Sequence, residues 1–136
     1  ACGLGILLNE GIGDTMRISL TDEPTEEVRA CWMLLAALDL RRRGPEIISC
    51  PTCGRCQVNL IDLAKKVDAR LANRVEPVKV AVMGCVVNGP GEAADADQGV
   101  ACGAGSGVVF KRGEVLRKVP EADIVDALME ELEKLA

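Results

Sequence analysis

Residues 78–92 read VKVAVMGCVVNGPGE: an apolar, valine-rich run gives way to a cysteine and then to a loop of glycine and proline. A short apolar run bounded by such turn residues predicts a buried β-strand. An earlier stretch, EIISCPTCGRC at residues 46–56, has the same order, with a short strand leading into cysteines. The chain therefore predicts two strands that end at Cys50 and Cys85.

The segment between these two strands predicts a helix. Asn59 is suited to cap it, and its apolar residues recur at steps of three and four: Leu60, Leu63, Ala64, Val67 and Leu71. Two strands joined by a helix are parallel neighbours in most sheets. Cys50 and Cys85 should then emerge at the same carboxyl edge, where open α/β sheets place their sites.

The rest of the chain extends this unit in both directions. Further strands are predicted near 99–103, 107–111 and 114–119, with a final helix over about 121–135, so the second part is β-α-β-β-β-α.

Before it come a predicted strand at 15–20 and a helix that starts at Pro24 and ends near Arg41, Arg42 and Arg43. This first part cannot bury both its faces alone, and the chain lacks an initiator Met. We therefore expect it to be the last unit of a larger protein.

The composition argues against several classes of function. The chain has 16 basic and 21 acidic residues, one Phe, one Trp and no Tyr, which argues against nucleic-acid binding. The sequence contains no run of about 18 apolar residues, so we expect no membrane span. The absence of His excludes His-based metal sites and Cys–His dyads. Seven cysteines, an odd number, together with long helical patterns, favour a cytoplasmic globular protein over a secreted disulfide scaffold.

Three cysteines at strict three-residue intervals with a distant fourth suggest an iron–sulfur cluster. Spacing alone selects Cys50, Cys53, Cys56 and Cys85, a closed electron-transfer centre, and leaves Glu92 as an ordinary loop carboxylate. The alternatives are a thiol–disulfide motif, a zinc site, or cysteines that act only as small buried apolar residues. The last interpretation is preferred for Cys2, Cys31 and Cys102.

Four stretches carry a resemblance to a known family: GLGILLNEGIGDTMRISLT (3–21), RRRGPEIISCPTCGR (41–55), VMGCVVNGPGEAADAD (82–97) and KRGEVLRKVPE (111–121). Together they resemble the C-terminal part of the 4-hydroxy-3-methylbut-2-enyl diphosphate synthases. The resemblance runs over essentially the whole chain. It implies an α/β protein in which residues 1–43 are the last strand and helix of a TIM barrel. Residues 44–136 would then form a four-iron, four-sulfur (4Fe-4S) cluster domain.

The resemblance implies a different ligand set from the one that spacing selects. Carried over by position, the ligands are Cys50, Cys53, Cys85 and Glu92, and Cys56 departs from the family pattern. A carboxylate is a harder ligand than a thiolate and suits a soft iron–sulfur site less well. The iron held by Glu92 is therefore expected to be the exchangeable one, open to substrate. We favour Glu92 as ligand and catalytic residue, with Cys56 as a nearby spectator.

The resemblance also implies a reaction and partners. The reaction is the two-electron reductive ring opening and dehydration of 2-C-methyl-D-erythritol 2,4-cyclodiphosphate, in isoprenoid biosynthesis. Arg43 is expected to bind the diphosphate, and Asn88 to orient the substrate or Glu92. The electron donor would be flavodoxin or ferredoxin, which could dock on a basic strip: Lys111, Arg112, Arg117 and Lys118.

Two further expectations concern the chain as a whole. The intact protein is expected to be a homodimer in which one subunit's barrel meets the other's cluster domain, so this fragment alone should be inactive. Two alternatives from other classes remain. One is a non-catalytic electron-transfer module that uses all four cysteines, and the other is a zinc-stabilised interaction domain.

Overall fold

The computed structural model of the chain describes residues 1–135, and the chain divides into two compact units: residues 1–43 and a second unit that begins at Gly44. The first unit holds helices α1 (Cys2–Asn9) and α2 (Pro24–Ala37). Pro24 stands in the first turn of α2 with Glu26 and Glu27, which confirms the predicted helix start. Proline suits this turn because its φ angle is already helical and its missing N–H would have no intrahelical partner there.

The strand predicted at residues 15–20 is wrong for this structure. These residues are irregular, although their sequence alternates between polar and apolar side chains. A β-strand exists through hydrogen bonds to a neighbouring strand, and no other segment among residues 1–43 supplies one. The alternating pattern is typical of a strand, but these residues have no partner strand to pair with.

The second unit contains the strands and helices that the sequence predicts there and, in addition, a short helix at residues 89–92. Their bounds are β1 (Pro45–Ser49), α3 (Leu60–Leu71), β2 (Val78–Met83), α4 (Gly89–Glu92), β3 (Gln98–Gly103), β4 (Ser106–Lys111), β5 (Glu114–Pro120) and α5 (Ile124–Glu133), with a 3-10 turn at Glu121–Asp123. The sheet order is β1-β2-β3-β4-β5. The first three strands run parallel, and β4 and β5 are added as antiparallel hairpins.

Helices α3 and α5 cover one face of this sheet. Their buried apolar residues pack against alternate residues of the central strands, in a single cluster that includes Val67, Leu71, Val80, Val82, Val100, Val109, Ile124, Leu128 and Leu132. Asn59 caps α3 as predicted, because its side-chain oxygen accepts a hydrogen bond from the backbone N–H of Asp62 at 3.3 Å. The periodic apolar residues of both helices thus become the core.

The opposite face is covered by the segment that follows β2. Ala93 and Ala96 pack there against Ala81, Ala101 and the ring of Phe110. The sequence predicted an irregular loop over 84–91, but residues 89–92 form the one-turn helix α4. The carbonyl of Asn88 accepts the N–H of Glu92 at 2.8 Å and closes the turn. Pro90 lies in its first turn, where a fixed φ angle favours helix.

Within the described part of the chain, no helix combines the length and the apolar character that crossing a bilayer requires.

Candidate metal centre

The candidate site forms where β1 and β2 end. In the parallel register Ser49 stands opposite Val82, so the two strands finish side by side. Cys50 follows β1 directly, and Cys85 follows β2 after Gly84. The sequence predicted that these two thiols would emerge at one edge of the sheet, and the register confirms it.

The two loops enclose a cavity of ≈ 150 Å³. All five candidate ligands line it: Cys50, Cys53, Cys56, Cys85 and Glu92. Asn88, which the sequence assigned to this site, also lines it, together with Pro51, Thr52, Arg55 and Gly84. A larger groove of ≈ 810 Å³ between α3 and α5 contains none of the predicted site residues. The cavity thus gathers both predicted ligand sets, and its outline does not choose between them.

The sulfurs of Cys50 and Cys53 are hydrogen-bond acceptors. The backbone N–H of Gly84 donates to the Cys50 sulfur at 3.3 Å, and the N–H of Arg55 donates to the Cys53 sulfur at 3.4 Å. Hydrogen bonds to the charged form of a group favour that form. Accordingly, the Arg55 backbone N–H is the largest cause that lowers the pKa of Cys53, and its side chain adds to the effect. Both sulfurs are thus placed as hydrogen-bond acceptors.

The Cys56 thiol has the opposite polarity. Its sulfur lies 3.4 Å from the backbone carbonyl oxygen of Val58, which can only accept a hydrogen bond, so the S–H group must donate. A thiolate at this place would face a carbonyl dipole of like sign. The backbone N–H of Cys56 donates to the carbonyl of Cys53 at 2.9 Å and closes the turn between them. Cys56 thus donates a hydrogen bond, whereas the sulfurs of Cys50 and Cys53 accept one.

Gly84 lets the two loops approach each other. A Cβ atom at this position would lie 2.6 Å from the Cys56 sulfur and 3.4 Å from the Cys50 sulfur. The first distance is far below van der Waals contact, so a side chain cannot be added without moving Cys56. The close approach of the loops also brings the N–H of Gly84 to 3.3 Å from the Cys50 sulfur.

Helix α4 carries the carboxylate of the site. Glu92 ends this single turn, and its Oε1 accepts a hydrogen bond from Nδ2 of Asn88 at 3.2 Å. The two residues are four apart and so lie on one side of the turn. The observed contact fits the predicted role of Asn88 in orienting Glu92.

Thr52 adopts a backbone conformation that β-branched residues rarely occupy. Its φ angle is 62°, in the left-handed region. Strained conformations of this kind are concentrated at functional sites, where the surrounding structure holds them in place. Thr52 lies between Cys50 and Cys53, so the unusual turn directs both sulfurs into the cavity.

Arg55 was missed by the sequence analysis, which gave it no role at the site. It lines the cavity, and its side-chain interaction with Cys53 is the largest cause that raises the pKa of Arg55, followed by the charges of Cys53, Cys85 and Glu92. The available signal was a cation placed between two thiols in the stretch CGRC. Spacing rules for metal ligands do not consider such a residue.

Other predicted functional residues lie elsewhere. Arg43 belongs to the first unit, where its guanidinium stacks over the Trp32 ring at 5.7 Å from the ring centre, and its role in substrate binding stays a prediction. The basic strip is not a continuous surface, because Arg117 turns towards α5 and pairs with Glu130. Lys118 follows Arg117 on β5 and points to the other face of the sheet.

The remaining cysteines differ in burial. Cys102 is fully buried in the core, as predicted, and burial raises the pKa of its thiol to about 12. Cys2 is exposed, so its assignment as a buried apolar residue is wrong, and Cys31 is half-buried. Cys2 is exposed because α1 is short and buries no residue.

Among residues 1–135, no group of three or more thiol or carboxylate side chains closes around a point that a single metal ion could occupy. Whether the cavity suits a metal cluster therefore depends on the chemistry of its donors. Several soft thiolate donors and one carboxylate, with N–H groups directed at two of the sulfurs, form a set that suits iron–sulfur ligation.

Together, the fold and the cavity define an α/β protein whose parallel strands end at a site lined with thiols and one carboxylate. Residues 46–134 match the family model of the GcpE protein C-terminal domain, and residues 1–32 match that of the GcpE TIM-barrel domain. The chain belongs to the GcpE family.

Curated relatives match nearly the whole chain. A 4-hydroxy-3-methylbut-2-en-1-yl diphosphate synthase (flavodoxin) of Geobacter sulfurreducens is 59% identical over 135 residues, which are 99% of this chain and 38% of that protein. Proteins of the same name from Lawsonia intracellularis and Clostridium tetani are 58% and 56% identical over 98% of the chain. The chain spans 37% and 38% of their lengths.

Proposed function

We propose that this chain is the C-terminal part of an oxidoreductase that converts 2-C-methyl-D-erythritol 2,4-cyclodiphosphate to 4-hydroxy-3-methylbut-2-enyl diphosphate. The reaction is a reductive ring opening and dehydration in isoprenoid biosynthesis. The observation that carries the proposal is the cavity at the ends of β1 and β2, which gathers Cys50, Cys53, Cys85 and Glu92. The relatives, all named as this synthase, support it.

The proposed organisation follows from the two family matches. Residues 1–43 would be the end of a TIM barrel, and residues 44–136 the cluster domain. The match of 1–32 to the barrel model and of 46–134 to the C-terminal model supports this division. Since most of a barrel lies outside these 136 residues, the fragment alone would not catalyse the reaction.

The proposed ligands of a 4Fe-4S cluster are Cys50, Cys53, Cys85 and Glu92. Hydrogen-bond polarity supports this set over the one with Cys56. The sulfurs of Cys50 and Cys53 accept backbone N–H groups, whereas the Cys56 thiol donates to the carbonyl of Val58. A Cys56 ligand would have to break that contact. The same polarity argues against the alternative electron-transfer module with four cysteine ligands.

When bound, the cluster would pass on, one at a time, the two electrons that the donor provides and would supply a Lewis-acid site, the part of the chemistry that the polypeptide cannot provide. The protein residues then have distinct tasks. Cys50, Cys53 and Cys85 would hold the cluster through their thiolates, and Glu92 would be its exchangeable fourth ligand. Asn88, bonded to the Glu92 carboxylate, would keep that carboxylate beside the cavity once it is displaced. There it could accept or deliver a proton. Arg43 would bind the diphosphate, as guanidinium groups do.

The partners in this proposal are an electron donor and a second subunit. The donor would be flavodoxin or ferredoxin, and the word "flavodoxin" in the names of the relatives favours the first. In the intact cytoplasmic homodimer, the barrel of one subunit would meet the cluster domain of the other.

The cluster is tested by anaerobic reconstitution of the chain, followed by measurement of iron, acid-labile sulfide and zinc. About four irons and four sulfides per chain are expected. Glu92→Ala should retain an iron–sulfur centre but lose one iron, giving about three, because the three thiolates remain. Stoichiometric zinc without sulfide would overturn the proposal.

The reaction is tested by a chimaera. The 136 residues replace the matching C-terminal 38% of the Geobacter sulfurreducens relative, which supplies the rest of a barrel. With a chemical reductant, the chimaera should consume the cyclodiphosphate, and its Glu92→Ala variant should not. A chimaera that folds and binds four irons yet leaves the substrate unchanged would contradict the proposed reaction.

A further inference from the structure

Arg55 occupies a special position in the turn between two candidate thiols. Its backbone N–H donates to the Cys53 sulfur at 3.4 Å, and the next residue, Cys56, closes the turn on the Cys53 carbonyl at 2.9 Å. The turn therefore fixes where the Arg55 side chain begins. That side chain lines the same cavity as Cys50, Cys53, Cys85 and Glu92.

Among the residues that line this cavity, Arg55 is the one with a positive charge. The charge acts on three of the four proposed ligands, because Cys53, Cys85 and Glu92 each interact with it electrostatically. A guanidinium group stays protonated across the whole physiological range. Arg55 is thus a permanent cation beside a set of anionic ligands.

We propose that Arg55 is a positioning residue for electron transfer: its fixed charge stabilises the reduced state of a cluster held by Cys50, Cys53, Cys85 and Glu92, and so raises the reduction potential. The inference rests on the proposed function, since it requires a cluster in this cavity. It assigns a task to a residue that is not itself a ligand. Lys65, an exposed cation on α3 that does not line the cavity, has no such task.

The argument is electrostatic. Uptake of one electron, from dithionite in a titration or from the protein donor, adds one negative charge at the cavity and makes or breaks no bond in the polypeptide. A nearby cation favours the state that carries the added charge. Net charge and hydrogen bonds to sulfur are the main means by which proteins adjust cluster potentials. Arg55 supplies both, with a cationic side chain and a backbone N–H directed at Cys53.

The test is a redox titration of the reconstituted chain, followed by electron paramagnetic resonance. Four proteins are compared: wild type, Arg55→Gln, Arg55→Lys and Lys65→Gln. Arg55→Gln removes the charge but keeps the backbone N–H and a polar side chain. Lys65→Gln changes the net charge by the same amount at an exposed position away from the cavity. Its potential shows what a distant charge contributes after screening.

The expected result is a lower midpoint potential for Arg55→Gln at unchanged iron and sulfide content, with Arg55→Lys and Lys65→Gln close to wild type. Equal potentials for wild type and Arg55→Gln, or an equal shift in Lys65→Gln, would overturn the inference. If Arg55→Gln fails to hold iron, Arg55→Lys decides, since it keeps the charge without the planar group: a potential near wild type supports the inference, and a clear fall overturns it. A wild-type chain that binds no cluster contradicts the proposed function itself, which separates the two failures.

Discussion

The sulfur of Cys56 lies 2.6 Å from the position that a Cβ atom on Gly84 would occupy. The loop after β1 and the loop after β2 are therefore in contact at a point where one of them has no side chain. The Cys50 sulfur is held at the same point by the N–H of Gly84. The iron content of variants at Gly84 and Cys56 should depend on this contact.

Gly84→Ala should lower the amount of iron that the reconstituted chain retains. The added methyl group overlaps the Cys56 sulfur, and the loop that carries Cys50 and Cys53 must then move. Gly84→Ala combined with Cys56→Ala should recover much of the loss, because the nearest remaining atom, the Cys56 Cβ, is 3.3 Å away. Gly54→Ala is the control, since a Cβ there meets nothing within 4 Å. A double variant as poor as the single one would show that the overlap is not the cause.

Cys56→Ala alone should retain about four irons and four sulfides per chain. Its thiol donates to the carbonyl of Val58, and the proposed ligand set does not include it. The matched comparison is Cys53→Ala, three residues away in the same turn, which should lose most of its iron. Iron and acid-labile sulfide analysis distinguishes the two variants. Loss of the cluster from Cys56→Ala would indicate a centre with four cysteine ligands and contradict the Glu92 assignment.

Gly99→Ala should destabilise the second unit without acting on the site directly. A Cβ on Gly99 would overlap the ring of Phe110, and it would lie 2.9 Å from the Cβ of Ala81. Overpacking of this kind costs about 1–3 kcal/mol in the free energy of unfolding. Urea denaturation should show the loss. Gly91→Ala, where a Cβ meets nothing within 4 Å, serves as the control and should change stability by much less.

Cys102 should make folding stability sensitive to alkaline pH. Burial raises the pKa of its thiol to about 12, whereas in the unfolded chain it ionises at its ordinary value, near 8.5. Between these values the unfolded state loses a proton that the folded state keeps, so stability falls as pH rises. Cys102→Ala should therefore lose stability less steeply over this range, whatever its stability at neutral pH. In the folded wild type, Cys102 should also resist iodoacetamide at pH 8. Identical slopes would show that Cys102 does not set the dependence.

Much of the second unit follows from its sequence because the signals are local. The apolar steps of α3 and the cap at Asn59 lie within one helix, and the convergence of Cys50 and Cys85 follows from the geometry of parallel strands. The prediction of a strand at residues 15–20 failed for a different reason. A strand depends on a partner, and alternation in a sequence does not supply one.

The chemistry of the site was harder to predict. Spacing shows which thiols can reach a common cavity, and all four do reach it. It cannot show in which direction a hydrogen bond runs, and that direction is what separates Cys56 from Cys53. The left-handed turn at Thr52 and the inward position of Arg55 are equally invisible to spacing. The first depends on a backbone angle that threonine does not favour, and the second on how the folded turn directs a side chain.

In the part of the chain that the structure describes, strand β1 lies at the edge of the sheet and pairs only with β2. A group bound to both Cys50 and Cys85 would tie the end of this outer strand to the loop after its single neighbour. The cross-link would join the two ends of the β1–α3–β2 connection. It would therefore hinder the separation of β1 from the sheet. Oxidative loss of such a group would then do more than stop electron flow. If β1 then separates from the sheet, β2 is left with a newly unpaired edge, the feature through which proteins most readily aggregate.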